Sequence, residues 1–269
     1  MAQTIIGVLN GLNHEPSVPV SYQLSLDGHT IGLNTYLSTH LTMAHTGRKF
    51  CVACGRSVNK LYQNGYCFPC VQTLAECDLC IVKPEICHHH LGTCRDNAYA
   101  DTHCFIPHYV YLSYTSSVKV GVTRAGRELT RWVDQGAMAA VLLAKTQTRR
   151  NAGIIEHSLT TAIADKTNWR GMLKSREADY AELEKMRHYA LERISTEMSE
   201  YGMALPESPV HTFTYPSAEY SLEKVVSLSL DKNPGPEGTL VGLKGQYLIF
   251  DSGVFNLKKF SGYEVTLTL

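Results

Sequence analysis

Outside residues 51–104 the chain has no cysteine; inside that window it has nine. It has no surplus of either charge, because 25 Lys and Arg balance 25 Asp and Glu. That balance removes the overall pull of a general nucleic-acid binder, so any basic patch must be local. No apolar run approaches the ~20 residues that span a bilayer. The first residues, MAQTIIGVLN, lack the basic and apolar regions of a secretory signal. Internal repeats and low-complexity tracts are absent. These features predict a cytoplasmic chain without a membrane partner. They also argue against a disulfide framework, since cytosolic disulfides are reduced and an odd number of thiols cannot pair completely.

Apolar residues make up 44% of the 269 residues and charged residues 19%, an ordinary ratio for a protein with a real core. The length suits two or three units. Residues 1–48 hold short runs of β-formers, IIGVLNGL, VSYQLSL and IGLNTYL, with the tight-turn pair Asp27-Gly28 between the last two. Residues 49–108 carry all the cysteines and few aliphatics, so they need metal to fold. Within 109–170, YVYLSY and VKVGVT flank Thr115-Ser116-Ser117 as a hairpin, followed by a helix over 125–134. AAVLLAKTQ then reads as a buried strand. A helix over 149–165 follows, with Ala152, Ile155, Leu159 and Ile163 on one stripe. Residues 171–205 are dominated by a charged helix over 175–201 with Leu183, Met186, Ala190 and Ile194 on its apolar side. Residues 206–269 return to strands after the turn-rich NPGPEG.

The sharpest motif is Cys51-x2-Cys54 and Cys67-x2-Cys70, two knuckles separated by twelve residues. Such a pair makes a closed tetrahedral thiolate cage, which is a structural zinc site rather than a catalytic one. Gly55, Gly65 and Pro69 shape the two knuckles. The remaining thiols support a second four-coordinate site from Cys80, Cys87, Cys94 and Cys104, with Cys77 or His88 able to replace a member. Thiolate sets of this kind also hold iron–sulfur clusters, and incidental buried thiols are the plainer alternative. The consecutive His88, His89 and His90 read as surface residues. Two zinc ions are the expected metal content.

Tyr111-Leu112, Lys119-Val120-Gly121-Val122-Thr123, Arg131 and Glu156 resemble the core of the GIY-YIG nucleases over about sixty residues. That family has a hairpin with two short motifs, a helix with an arginine, a further strand, and a helix with a metal-binding glutamate. The resemblance implies catalytic roles for Tyr111, Lys119, Arg131 and Glu156, with magnesium or manganese at Glu156. It implies that Gly121 lets the backbone approach the neighbouring helix, and that Asn168 matches a late polar residue. Lys119 stands where the namesake motif has tyrosine, and Tyr109-Val110 replace the leading glycine. The whole chain resembles a bacterial family, domain of unknown function 2797. GYCFPC at 65–70, CDLCIVKPEICH at 77–88, VYLSYTSSVKVGVTR at 110–124 and KGQYLIFDSGVFNLKKFSGY at 244–263 carry that resemblance.

The expected architecture is α+β. The β-rich segments at the two ends share a barrel or sandwich, with a zinc-binding segment and a small GIY-YIG-like α/β unit between them. The expected function is a zinc-containing protein that binds DNA or RNA, as a divalent-metal-dependent endonuclease or a degenerate relative of one. Arg48, Lys49, Arg56, Lys60, Arg124, Arg127, Tyr62 and Trp132 are candidate contacts, and phosphate contacts would make binding salt-dependent. A non-catalytic, zinc-stabilised module that binds RNA or protein is the alternative. The two readings separate at Glu156: an enzyme groups it with Tyr111 and Arg131, and an adaptor has no reason to. Oligomeric state is not legible.

Overall fold

The computed structural model of the protein describes residues 3–218, 225–232 and 235–269. The architecture is mixed α/β with several sheets, and the chain divides into two compact units. One unit comprises residues 1–72 and 214–269, and the other residues 73–213. The cysteine-rich stretch is therefore split between them. The NPGPEG turn lies in part outside the described residues. No described helix is long and apolar enough to cross a membrane.

In the first unit both ends of the chain enter one six-stranded antiparallel sheet. Its order is Thr4–Val8, Tyr263–Thr268, His40–Lys49, Glu237–Lys244, Tyr247–Phe250, Gly253–Asn256. The expected barrel does not close. The edge strands are short, five and four residues, and neither pairs with the other. A separate three-stranded sheet, Leu12–Glu15, Ser21–Leu26 and His29–Gly32, follows the first strand. Asp27 and Gly28 turn its second hairpin, both with positive φ (41° and 87°), as a twist-matched two-residue turn requires. IGLNTYL is not a single strand. It passes into a 3-10 turn, Leu33–Tyr36, because Asn34 acts as a strand partner: its Oδ1 accepts from Tyr22 N (2.8 Å) and its Nδ2 donates to Val20 O (2.9 Å).

The second unit is built on an antiparallel sheet ordered His211–Thr212, Ala139–Thr146, His108–Tyr114, Val118–Arg124, with Gly202–Ala204 also on Ala139–Thr146. The hairpin through residues 115–117 puts His108–Tyr114 in the centre. One face, with Val110, Leu112, Val120, Val141 and Leu143, is fully buried in the core cluster that also holds Ala152, Ile155, Leu159 and Ile163. Those last four are the predicted helical stripe. Burying each such side chain is worth roughly 1.5–3 kcal/mol. The helix that carries the first three, Arg149–Leu159, is capped by Thr148, whose side chain accepts from Asn151 N, and Ile163 lies beyond its end. It ends six residues earlier than expected, and the chain then turns back to the sheet, where Val120 N donates to Ala164 O (2.9 Å). The charged segment 175–201 is two helices, Tyr180–Arg193 and Ser195–Tyr201, divided at the buried Ile194.

The helix Arg149–Leu159 also packs on the cysteine-rich turn Pro84–Ile86 through Gly153. A Cβ there would lie 2.5 Å from Pro84 Cβ and 2.8 Å from Glu85 N. Gly153→Ala is therefore expected to destabilise the protein by about 1–3 kcal/mol, despite the better helix propensity of alanine. Urea unfolding of the two proteins checks this; equal or greater stability of the variant would contradict the packing.

Candidate metal centre and active site

In the first unit the strand His40–Lys49 runs directly into the first knuckle. Cys51 N donates to Arg56 O (2.9 Å) and Gly55 N to Cys51 O (2.9 Å), with Gly55 at φ +69° where a side chain would be strained. The second knuckle opens the helix Phe68–Thr73, which carries Cys70, while Cys67 N donates to Cys51 Sγ (3.2 Å). The sulfurs of Cys51, Cys54, Cys67 and Cys70 all lie within 4.8 Å of one another. Cys54 and Cys67 are 3.8 Å apart. A tetrahedral ion with ~2.3 Å bonds to sulfur holds its ligands about 3.8 Å apart, so this set could hold a metal and is compatible with zinc. Burial alone would raise the Cys51 thiol, but backbone N–H donors of Cys54, Cys67 and Ala53 hold it down to about 6. Cys70 is pushed up by its hydrogen bond with Cys67 and by burial. One thiolate forms readily and the next resists, which is the electrostatic state a divalent cation relieves.

In the second unit Cys80, Cys87, Cys94 and Cys104 all line one cavity, together with Asp78, His88 and Arg95. The compact donor group there is Asp78, Cys80 and His88, whose ligating atoms lie within 4.8 Å of one another. His88 thus turns towards the cavity, unlike the surface residue expected, while His90 is exposed. Asp78 is already engaged: it accepts from Cys80 N (3.2 Å) and pairs with Arg95 (2.8 Å) and His88 (3.4 Å). Cys77 is buried but does not line the cavity.

On the sheet face opposite the core cluster, Tyr111 stands directly across from Gly121, and Ser113 across from Lys119. Antiparallel partners share a face, so these four lie together. Tyr111 is fully buried. A Cβ on Gly121 would lie 2.5 Å from its hydroxyl, so what Gly121 admits is the tyrosine ring, not a neighbouring helix. Tyr111 Oη donates to Gln135 Oε1 (2.8 Å), feels the positive charge of Arg131, and its ring meets Trp132 edge-on at 5.8 Å. Lys119 is 3% exposed. Glu156 is half-buried and Arg131 is exposed to solvent. All four candidate catalytic groups interact electrostatically: Arg131 with Tyr111, Lys119 and Glu156, and Lys119 with Glu156.

The electrostatics have a definite sense. Burial and the Arg131 guanidinium bring the Lys119 ammonium down to about 7, against the pull of Glu156 and Asp165. Burial, with Asp165 and Glu85 beside it, brings Glu156 up to about 7, against Arg131 and Lys119. Burial also raises the Tyr111 phenol, and Arg131 opposes it. Sequence patterns did not identify Asp165, Glu85 or Gln135. Asp165 reaches Lys119 only because the chain returns to the sheet edge at Ala164. Asn168 caps the helix Trp169–Lys174, with Oδ1 accepting from Gly171 N (3.1 Å), a structural task. Among the proposed nucleic-acid contacts, Trp132 is buried, Arg48 is paired with Glu264 (2.7 Å) and Lys49 with Asp231 (3.4 Å).

Residues 38–265 match the model of a family described as a protein of unknown function (DUF2797), and the chain belongs to that family. No curated protein and no solved structure matches it.

The raised Glu156 has a stability signature. A carboxyl whose folded pKa lies above its ordinary 4.5 contributes stability that is complete below pH 4.5 and lost as pH rises through about 7. Glu156→Gln keeps the shape and removes the charge. Without added divalent cation, the variant should match the parent below pH 4.5 and exceed it at pH 8, by about 2 kcal/mol. Urea denaturation across that range checks it, and a pH-independent difference would contradict the assignment.

Proposed function

We propose that this DUF2797 protein is a divalent-metal-dependent phosphodiesterase acting on nucleic acid. In this reading Tyr111, Lys119, Arg131 and Glu156 form the active site, and Cys51, Cys54, Cys67 and Cys70 hold a structural zinc. One observation supports the reading: four groups far apart in sequence influence one another electrostatically in the second unit, with Arg131 open to solvent and Lys119 and Glu156 both drawn towards neutrality, to about 7. A purely structural ion pair would hold both partners charged; here burial opposes both charges, and strongly shifted groups of this kind concentrate at functional sites. The order strand, strand, helix, strand, helix supports a GIY-YIG-like unit.

The residues divide the chemistry as follows. Lys119, poised at about 7, accepts the proton of the attacking water as the water oxygen bonds to phosphorus; the bond from phosphorus to one sugar oxygen breaks, and that oxygen takes a proton from solvent. Tyr111 is fixed by Gln135 and orients that water or the Lys119 amine. Arg131, at the solvent side, meets the charge that develops on the phosphate. The Glu156 carboxylate would hold the divalent cation, with Asp165 as the nearby acidic residue; magnesium or manganese would neutralise phosphate charge when bound. DNA or RNA is the substrate class because both present the phosphodiester that this set of groups fits.

Cleavage of single- and double-stranded DNA and RNA should require magnesium or manganese. Glu156→Gln should abolish it, and Arg131→Ala should slow it by about 100-fold or more. Unaltered cleavage by Glu156→Gln would defeat the proposal. So would binding of nucleic acid by wild-type protein without cleavage in either metal, which would favour a non-catalytic module. Separately, Cys51→Ser should release zinc and destabilise the first unit, since structural zinc contributes folding energy directly. Retention of zinc and stability by that variant would remove the metal from this cage.

A further inference from the structure

We infer that the cavity lined by Cys80, Cys87, Cys94 and Cys104 holds an iron–sulfur cluster rather than a second mononuclear zinc. Four thiols reach this cavity from four separate turns: Cys80 from Leu79–Ile81, Cys87 after Pro84–Ile86, and Cys94 and Cys104 from either side of the helix Asn97–His103. The chain supplies its own standard for a single-ion cage. At Cys51, Cys54, Cys67 and Cys70 all four sulfurs lie within 4.8 Å of one another, as one tetrahedral ion requires. Around the second cavity no three of the four sulfurs meet that distance among the described residues. The thiols are instead spread about a shared void. A single ion with ~2.3 Å bonds holds its sulfurs about 3.8 Å apart, closer than these four stand as a set. A cluster can, because it presents several irons, each taking its own thiolate.

The surroundings agree. Ala75, Ile81 and Ala100 supply an apolar wall, the dry setting in which a sulfur-ligated cluster is shielded from water. Arg149 supplies the countercharge. Its Nε is buried without a hydrogen-bond partner, and its Nη2 donates only to the carbonyl of Ile81. No carboxylate pairs with it among the described residues; its electrostatic partners include Cys104 and Cys80. Arg149 stands behind the lining, beside Ile81, and is partly buried, with Tyr99 as a further partner; a partly buried guanidinium without a carboxylate is costly, and an anionic thiolate-bound cluster would supply the countercharge. The competing donor group, Asp78, Cys80 and His88, offers a single thiol, and its aspartate is committed to Arg95 and a backbone N–H.

The cluster also has a place in the fold. Arg149 N donates to Cys104 O (2.8 Å), and Arg149 opens the helix that carries Glu156. The inference does not depend on the phosphodiesterase reading, because it is tested by metal content.

Full-length protein purified without oxygen, and if necessary reconstituted with ferrous iron and sulfide, should be brown. It should contain iron and acid-labile sulfide in equal amounts beside about one zinc per chain, with an electron paramagnetic resonance signal after reduction by dithionite. Cys87→Ser and Cys94→Ser should each lower iron and sulfide several-fold while keeping the zinc. Cys54→Ser should do the reverse, and Asp78→Asn should keep the cluster. Protein that takes up no sulfide under these conditions and carries two zinc ions, one of them lost in Cys87→Ser, would overturn the inference. Loss of the metal in Asp78→Asn but not in Cys94→Ser would also overturn it, in favour of the Asp78, Cys80 and His88 group.

Discussion

A lysine ammonium set among fully buried strands, next to an arginine, is the constraint on which the second unit turns. Lys119 lies on the edge strand Val118–Arg124 with almost no solvent contact, and Arg131 adds a like charge. Left alone, the buried ammonium would cost several kcal/mol. The carboxylates of Glu156 and Asp165 offset it from two different segments, the helix Arg149–Leu159 and the returning chain beyond it. The neighbouring packing serves the same arrangement. Gly121 leaves space for the Tyr111 ring, Gln135 fixes its hydroxyl, and Trp132 closes the side. A fold seeking stability alone would fill this volume with aliphatic side chains, as it does on the opposite sheet face.

The cysteine segments answer a different shortage. Residues 51–70 and 77–104 are mostly turns and short 3-10 or helical pieces with few buried apolar side chains. Hydrophobic burial alone does little to order them, and the donor groups gathered there could take over that task by holding metal. Each unit contains its own set. In the first, Phe50 N donates to Gly262 O (2.7 Å) and Val52 N to Gly65 O (2.8 Å), which ties the cage to the six-stranded sheet. In the second, Pro84 against Gly153 ties the cysteine turns to the helix that bears Glu156.

Local patterns in the sequence were enough to find what depends on spacing. The CxxC pairs gave the first cage, Asp27-Gly28 gave a hairpin, and the stripe Ala152, Ile155, Leu159 and Ile163 gave the helix behind the sheet. The candidate residues Tyr111, Lys119, Arg131 and Glu156 were also named from the sequence, through a resemblance. What escaped depends on tertiary context. The 3-10 turn at Leu33–Tyr36 follows from an asparagine that pairs with distant backbone. The division of the charged helix at Ile194 has no proline or glycine to mark it. Asp165 and Glu85 join the polar site from loops whose sequence shows no period. Trp132 looked available for contact because composition cannot tell a surface aromatic from a core one. That the sheet of the first unit stays open, where a barrel or sandwich is the expectation, follows from strand order that short β-patterned runs do not encode.

The central claim is that Glu156 is kept in its costly setting to hold a divalent cation beside Lys119 and Arg131. Manganese titration followed by electron paramagnetic resonance, on protein whose cysteine metals are in place, tests it most directly. The account predicts a manganese site that saturates in the parent protein, is lost in Glu156→Gln and is weakened in an Asp165→Asn variant. Equal manganese binding by the parent and Glu156→Gln, or no binding by either, would contradict it.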